Sequence, residues 1–277
     1  MMLFCDISLA ARIERAETRL IADSSDASRA RRGDTLGFAL PYAGGVASFA
    51  EPDSPLNKVA GLGFEGVPSP ADVDRVERAY AACGAPIQVE LSTLADPAVG
   101  DLLTGRGYRL VSFENVLGRT LDGFQGEPPP PGVQVRRSGD EEFGPWVDLV
   151  VDAFGHADNQ GVPSHEDFPR AVVENAIRDM AATGAWRLLA LRDGAFAGGA
   201  SMRVTDGIAQ LTGAATAPEH RRRGVQSALL SARLAAAASA GCDLAVVTTQ
   251  PGSKSQQNAH RQGFSLLYTR AVLVRTA

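Results

Sequence analysis

Cysteine is scarce in this chain of 277 residues: Cys5, Cys83 and Cys242 stand far apart, and no two have the spacing of a metal-ligand pair. An odd, scattered set argues against a disulfide framework and fits a reducing compartment, with each thiol read as a small hydrophobe. Histidine is equally sparse: His156, His165, His220 and His260 form no cluster along the sequence, so no resident metal is expected. No apolar run approaches the ~20 residues needed to span a bilayer. The N-terminal stretch turns charged at Asp6 and reads as lacking a secretory hydrophobic segment, so the expected location is cytoplasmic, with no membrane partner. Positive charge is not in excess, since 27 Lys and Arg face 32 Asp and Glu for a net charge of -5. That excludes a generally basic nucleic-acid binder. A Gly-x-x-x-x-Gly-Lys-Ser/Thr string is missing as well, which weakens any reading as a nucleotide-binding domain of another class.

What the chain does have is a marked division. Four prolines in "GEPPPPGV" cannot continue a helix or a central strand, and they favour an extended spacer. The expected organisation is therefore a domain over 1–125, a linker over 126–132 and a second domain over 133–277. The two parts end alike. Gly107–Thr120 and Gly263–Thr276 align without gaps and share residues at 107/263, 110/266, 116/272, 117/273, 119/275 and 120/276. Each reads as a glycine turn followed by a strand, preceded by an alanine-rich helix, a strand and a short helix. That shared order predicts a duplicated fold.

The second half reads as "VQVRRS" in a strand, a helix capped by Asp140, and a second helix opened by Ser164 and closed near Gly184. Three strands follow, turned at Asp193-Gly194 and Asp206-Gly207. Next come an Arg-Gly turn, a helix from Val225 to Ala240 with Gly241 at its end, the strand "DLAVVTT", a short helix "SQQNAHRQ" and a final strand. The predicted class is α/β (α+β), with a mixed, mostly antiparallel sheet flanked by helices in each domain.

Three arginines, Arg221, Arg222 and Arg223, precede Gly224 and the helix that begins at Val225. A helix start is already positive, so each added cation there costs about 0.3–1 kcal/mol, and the arrangement asks for an anion. Taken alone, "HRRRG" is a solvated basic turn; between a strand and a helix it is a phosphate site. At this point the sequence resembles the GNAT superfamily of acyl-CoA-dependent N-acyltransferases. "Arg221-Arg222-Arg223-Gly224-Val225-Gln226" is similar to its Gln/Arg-x-x-Gly-x-Gly/Ala signature, with Gln226 in the usually small last place. "Asn258-Ala-His-Arg-Gln-Gly263-Phe264" is similar to its Asn-x-x-x-x-Gly-Phe signature.

The resemblance implies acetyl-CoA as the bound cofactor. Amides across Arg221, Arg222, Arg223, Gly224, Val225, Gln226 and Ser227 would hold its pyrophosphate. Ala214, Ala215 and Thr216 would pair with the pantetheine arm, and Asn258 would lie nearby. It also implies transfer to a small-molecule or peptide amine by a monomer or homodimer. Two family features are missing: the tyrosine four residues before the Gly-Phe glycine is Ala259, and the strand "LAVVTT" has no carboxylate. His260 and Tyr268 are the candidate replacements, and a non-catalytic acyl-CoA-binding module is the alternative. In the first half a strand is expected to end at Val67-Pro68. The Arg-Gly turn is replaced by "SPADVDRVE", whose Asp72, Asp74 and Glu77 suit a helix start and would repel a pyrophosphate. That half is expected to be GNAT-like without a cofactor site.

Overall fold

Caps and turns set the element boundaries. In the computed structural model, which describes residues 3–33, 35–156 and 168–276, Asp6 caps α1 (Ile7–Arg32) by accepting from the Leu9 N–H at 2.8 Å. The hairpin of β1 (Phe38–Tyr42) and β2 (Gly45–Phe49) turns through Ala43 and Gly44, both at positive φ. Then follow β3 (Lys58–Ala60), α2 (Pro70–Ala82), β4 (Ile87–Ser92), α3 (Pro97–Gly105) and β5 (Arg109–Thr120). The second half runs β6 (Val133–Arg137), α4 (Phe143–Gly155), α5 (Arg170–Ala182), β7 (Trp186–Arg192), β8 (Ala195–Thr205) and β9 (Ile208–Thr216). A single 3-10 turn, Pro218–His220, leads to α6 (Val225–Ser239), β10 (Leu244–Thr249), α7 (Lys254–Arg261) and β11 (Ser265–Arg275).

These elements gather into two compact units, neither of them contiguous in sequence. Among the described residues, one unit holds 3–116, 168–183 and 266–276, and the other holds 117–156 and 184–265. The two repeated C-terminal segments therefore cross over. β5 begins in the first unit and ends in the second, while β11 starts at Ser265 in the second and continues in the first.

In the first unit, β1 and β2 pair antiparallel, as do β2 and β3; β3 pairs parallel with β4, and β4 antiparallel with β11 from Arg270↔Ser92 to Arg275↔Ile87. Its core centres on Tyr80, whose hydroxyl donates to the buried Ser48 carbonyl at 2.6 Å and whose ring meets Phe38 and Phe49 edge-on. The same unit holds a buried ionic cluster. Arg270 donates to Glu14 at 2.8 Å, Tyr268 donates to the same oxygen at 2.6 Å, and Lys58 pairs with Glu90. The expected strand through Val67-Pro68 does not form: β3 stops at Ala60, because Gly61, Gly63 and Gly66 all take positive φ, outside the strand region.

In the second unit, β6 through β9 pair antiparallel in sequence order and β10 joins β9 in parallel. Both Asp-Gly turns form as expected, with φ of 52° and 83° at 193–194 and 50° and 75° at 206–207. α6 buries Val225, Leu229 and Leu234 against the sheet. α4 buries Trp146, whose indole N–H donates to the Leu188 carbonyl at 2.9 Å. Gly199 is required there, since a Cβ would come within 2.7 Å of that indole nitrogen. Asp140 does not cap α4. Its carboxylate is taken by Arg187 at 2.7 Å, and Glu142 occupies the cap position. Ser164, the expected opening of the second helix, lies outside the described residues; α5 starts at Arg170, after Pro169. The proline segment is docked rather than free. The Glu127 N–H donates to Ser231 Oγ at 2.8 Å, and Pro130 lies against Gly224, so the linker follows α6 toward its N-terminus.

The ionic cluster generates a pH prediction. Burial pushes the Glu17 carboxyl above its ordinary value of 4.5; Glu90 and Glu14 add to the rise, and Arg270 and Lys58 oppose it. A carboxyl raised on folding binds its proton more tightly in the folded state, so its contribution to stability falls as pH rises from 4.5 through the folded value. Glu17→Gln removes that fall. Urea unfolding from pH 4.5 to 8 should show the variant gaining stability relative to wild type as pH rises, and parallel curves would contradict this.

Candidate functional site

The site begins with one extra residue. Ala200 pairs with Ala214, but Met202 pairs with Leu211, so Thr212 and Gly213 of β9 together face Ser201 of β8. Such a bulge bends its strand. The parallel pairing of β9 with β10 ends just before it, at Gln210↔Val246, although β9 runs on to Thr216 and β10 to Thr249. Among the described residues, the stretch from Leu211 to Thr216 thus has no strand partner on its β10 side. Backbone groups left open along a strand edge are a template for an extended ligand. Ala214, Ala215 and Thr216 lie on this stretch, as the sequence suggested. Gly213 is small because the Phe154 ring of α4 covers it, and a Cβ would meet the ring at 3.2 Å.

The open strand leads directly to the arginine turn and α6. Gly224 takes φ 80° as the N-cap and has no side chain, so among the described residues the start of α6 has no side-chain cap. Those N–H groups and the helix dipole make an anion site. The three arginines do not act alike. Arg221 turns back and donates to the carbonyls of Ala153 and His156, at the C-terminal end of α4, where a cation is favoured. It therefore fixes the end of the helix that carries Phe154. Arg222 and Arg223 are exposed. Gln226, in the first turn of α6, has its side-chain oxygen 3.4 Å from the Thr216 hydroxyl, which donates to it and links the helix start to the end of β9. Val225 is buried and Ser227 exposed.

The remaining candidates are dispersed. Asn258, partly buried on α7, gives its carbonyl to the Gln262 N–H at 3.2 Å. His260 Nδ1 donates to the Phe264 carbonyl at 3.0 Å, which leaves Nε2 as an acceptor, and the Gln256 amide nitrogen stands 3.3 Å from it. Tyr268 belongs to the other unit, buried, its hydroxyl committed to Glu14. Burial and the Glu14 charge push that phenol well above its ordinary value. Glu142, at the start of α4, is held by Arg136 at 2.5 Å and by the Gly139 N–H; the two keep its carboxyl down at about 2.

At the start of α2 the first unit is built differently. β3 ends at Ala60, where its pairing with β4 ends, so no open edge follows. Ser69 caps α2 through the Asp72 N–H at 3.2 Å, and Arg106 pairs with Asp74 and Glu77 at 2.5 and 2.6 Å. Its helix start is thus already satisfied by this chain's own groups.

Residues 148–264 match the model of the Acetyltransferase (GNAT) family, and the chain carries a GNAT acetyltransferase domain there. No curated protein is matched by the sequence. Among solved structures, a GCN5-related N-acetyltransferase from Kribbella flavida is similar at TM-score 0.64 and 20% identity, over 92% of this chain and 96% of that one. A tandem GNAT protein from the clavulanic acid biosynthesis pathway is similar at TM-score 0.55 and 14% identity, over 74% of this chain and 68% of that one. At these identities the likeness is one of fold.

Gly224 gives the site's stability prediction. An alanine there would hold a left-handed φ of 80° and place its Cβ 2.7 Å from Pro130 Cγ. Gly224→Ala should cost roughly 1–2 kcal/mol in urea unfolding. A cost within error of zero would show that the turn does not need glycine.

Proposed function

We propose that this chain, which carries a GNAT acetyltransferase domain in its second half, transfers an acetyl group from acetyl-CoA to a primary amine. The observation that supports this reading is the strand β9, open from Leu211 to Thr216 and ending at the uncapped start of α6. An extended pantetheine arm suits the open strand edge, and a pyrophosphate suits the helix start with Arg222 and Arg223 beside it. Such an anion would be met by free backbone N–H groups of α6 without losing any existing side-chain cap.

The chemistry then asks for three things. The thioester carbonyl needs a hydrogen-bond donor, the amine must lose a proton as its nitrogen bonds to the carbonyl carbon, and the sulfur leaves as the C–S bond breaks. Unpaired N–H groups of β9 fit the first requirement. For the second and third, neither His260 nor Tyr268 is free: one ring is tied at both nitrogens, and the other hydroxyl is committed in the first unit. Proton transfer through water to bulk solvent is the route that remains open to this site. The same observation favours a second reading, a module that binds acyl-CoA without catalysis.

The first half is read as a GNAT-like fold that binds no cofactor. The end of β3 at its last paired residue and the capped, acidic start of α2 support this. On this reading the chain has one cofactor groove, and the acceptor is a small-molecule or peptide amine.

Isothermal titration with acetyl-CoA, paired with thiol release across an amine panel, separates the readings. Binding with amine-dependent release of CoA is expected. Binding without release would establish the non-catalytic module, and no binding at millimolar acetyl-CoA would overturn both. Arg222→Ala with Arg223→Ala should weaken CoA about tenfold, roughly 1.4 kcal/mol, and flatten its salt dependence while leaving the melting temperature unchanged. An unchanged affinity would remove both arginines from the site.

A further inference from the structure

Arg233 is buried inside α6, an otherwise alanine-rich helix, with 3% of its surface exposed. Among the described residues its guanidinium pairs with no carboxylate, and burial is the one cause that shifts it. Nη1 donates to two backbone carbonyls, Ser201 on β8 and Thr212 on β9, each at 3.1 Å, while Nε has no partner. Burial alone pulls its pKa down to about 10, which still leaves it charged at neutral pH. An uncompensated buried cation is costly to a fold, so its position calls for an explanation.

The two carbonyls are the explanation. Ser201 and Thr212 are the residues that face each other where the β8–β9 register shifts, and their hydroxyls also meet at 2.7 Å. A bulge interrupts the regular ladder and leaves polar groups that need other partners. One cationic nitrogen here satisfies a carbonyl from each strand at the position of the extra residue. The register shift in turn falls immediately after the last β9–β10 pair.

We propose that Arg233 is a positioning residue for the acetyl-CoA groove: by clamping the Ser201 and Thr212 carbonyls it holds the bulge that separates β9 from β10. The inference rests on the functional reading above but is testable without it. Arg233 touches no reacting atom. Its effect on the ligand passes through the strand, so it governs how well Leu211–Thr216 is preset to receive an extended chain. Leucine or methionine would pack the same space at lower electrostatic cost. The guanidinium is therefore kept for its donors rather than for its bulk.

The test uses the full chain. Arg233→Met keeps length and apolar contact without a donor, Arg233→Lys keeps the charge and donors on a shorter stem, and Leu234→Ala serves as a control in the same helix for general loss of stability. Amide hydrogen exchange in the ligand-free protein and titration with CoA are measured for each. In Arg233→Met, exchange at Leu211–Thr216 should rise at least tenfold over wild type while β6 and β7 are unchanged, and CoA should bind about tenfold more weakly. Arg233→Lys should recover part of both effects, and Leu234→Ala should produce neither. If Arg233→Met leaves the 211–216 amides as slow as wild type, or if Leu234→Ala loosens them as much, the proposal is overturned. If Arg233→Met does not fold, Arg233→Lys decides the question: a rise in exchange confined to 211–216 would support the donor role, and exchange equal to wild type there, or raised alike in β6 and β7, would overturn it. The exchange readout stands even if wild type fails to bind CoA, a result that would instead count against the functional reading.

Discussion

One extra residue in β9 organises the second unit. With Thr212 and Gly213 set against Ser201 alone, the strand bends, and its pairing with β10 ends at Gln210. Six residues of β9 then run unpaired on that side to the arginine turn. The other parts of the site are fitted to this bend. Phe154 covers Gly213, Arg221 holds the end of the helix that carries Phe154, and Gln226 meets Thr216 where the strand stops. The carbonyls at the bulge fall to Arg233. In the first unit β3 runs without a register shift and ends where its pairing ends.

The starts of α2 and α6 differ in their local electrostatics. α2 begins with Ser69, Pro70 and Asp72, so its free N–H groups and positive potential are met from within the chain. α6 begins with a bare glycine and exposed cations, so among the described residues its start has no side-chain cap. A cap stabilises a helix by about 1 kcal/mol, and its absence at α6 keeps those donors available to something else.

Much of this was legible in the sequence. The Asp-Gly turns, the strand–turn–helix around Gly224 and the likeness of the two C-terminal segments come from short-range signals, and each is present where expected. Long-range partners were not legible. Nothing near Arg221 in sequence says that its guanidinium would reach the end of α4, and nothing near Tyr268 shows that its strand would pair with β4 and its hydroxyl find Glu14. The proline run reads as a spacer because proline fixes φ locally, whereas its docking depends on Ser231 and Gly224, about a hundred residues away. Arg233 was hidden by its surroundings: in an alanine-rich helix it passes for one polar residue among many, and only the bulge beneath it shows its role.

The central claim is that a single cofactor groove lies along β9 and the start of α6. Amide hydrogen exchange with and without saturating CoA tests it most directly. The account predicts slowed exchange at 211–216 and 224–228, with no change at the corresponding start of α2, residues 69–73. Protection at 69–73, or no protection anywhere in 211–228, would contradict it.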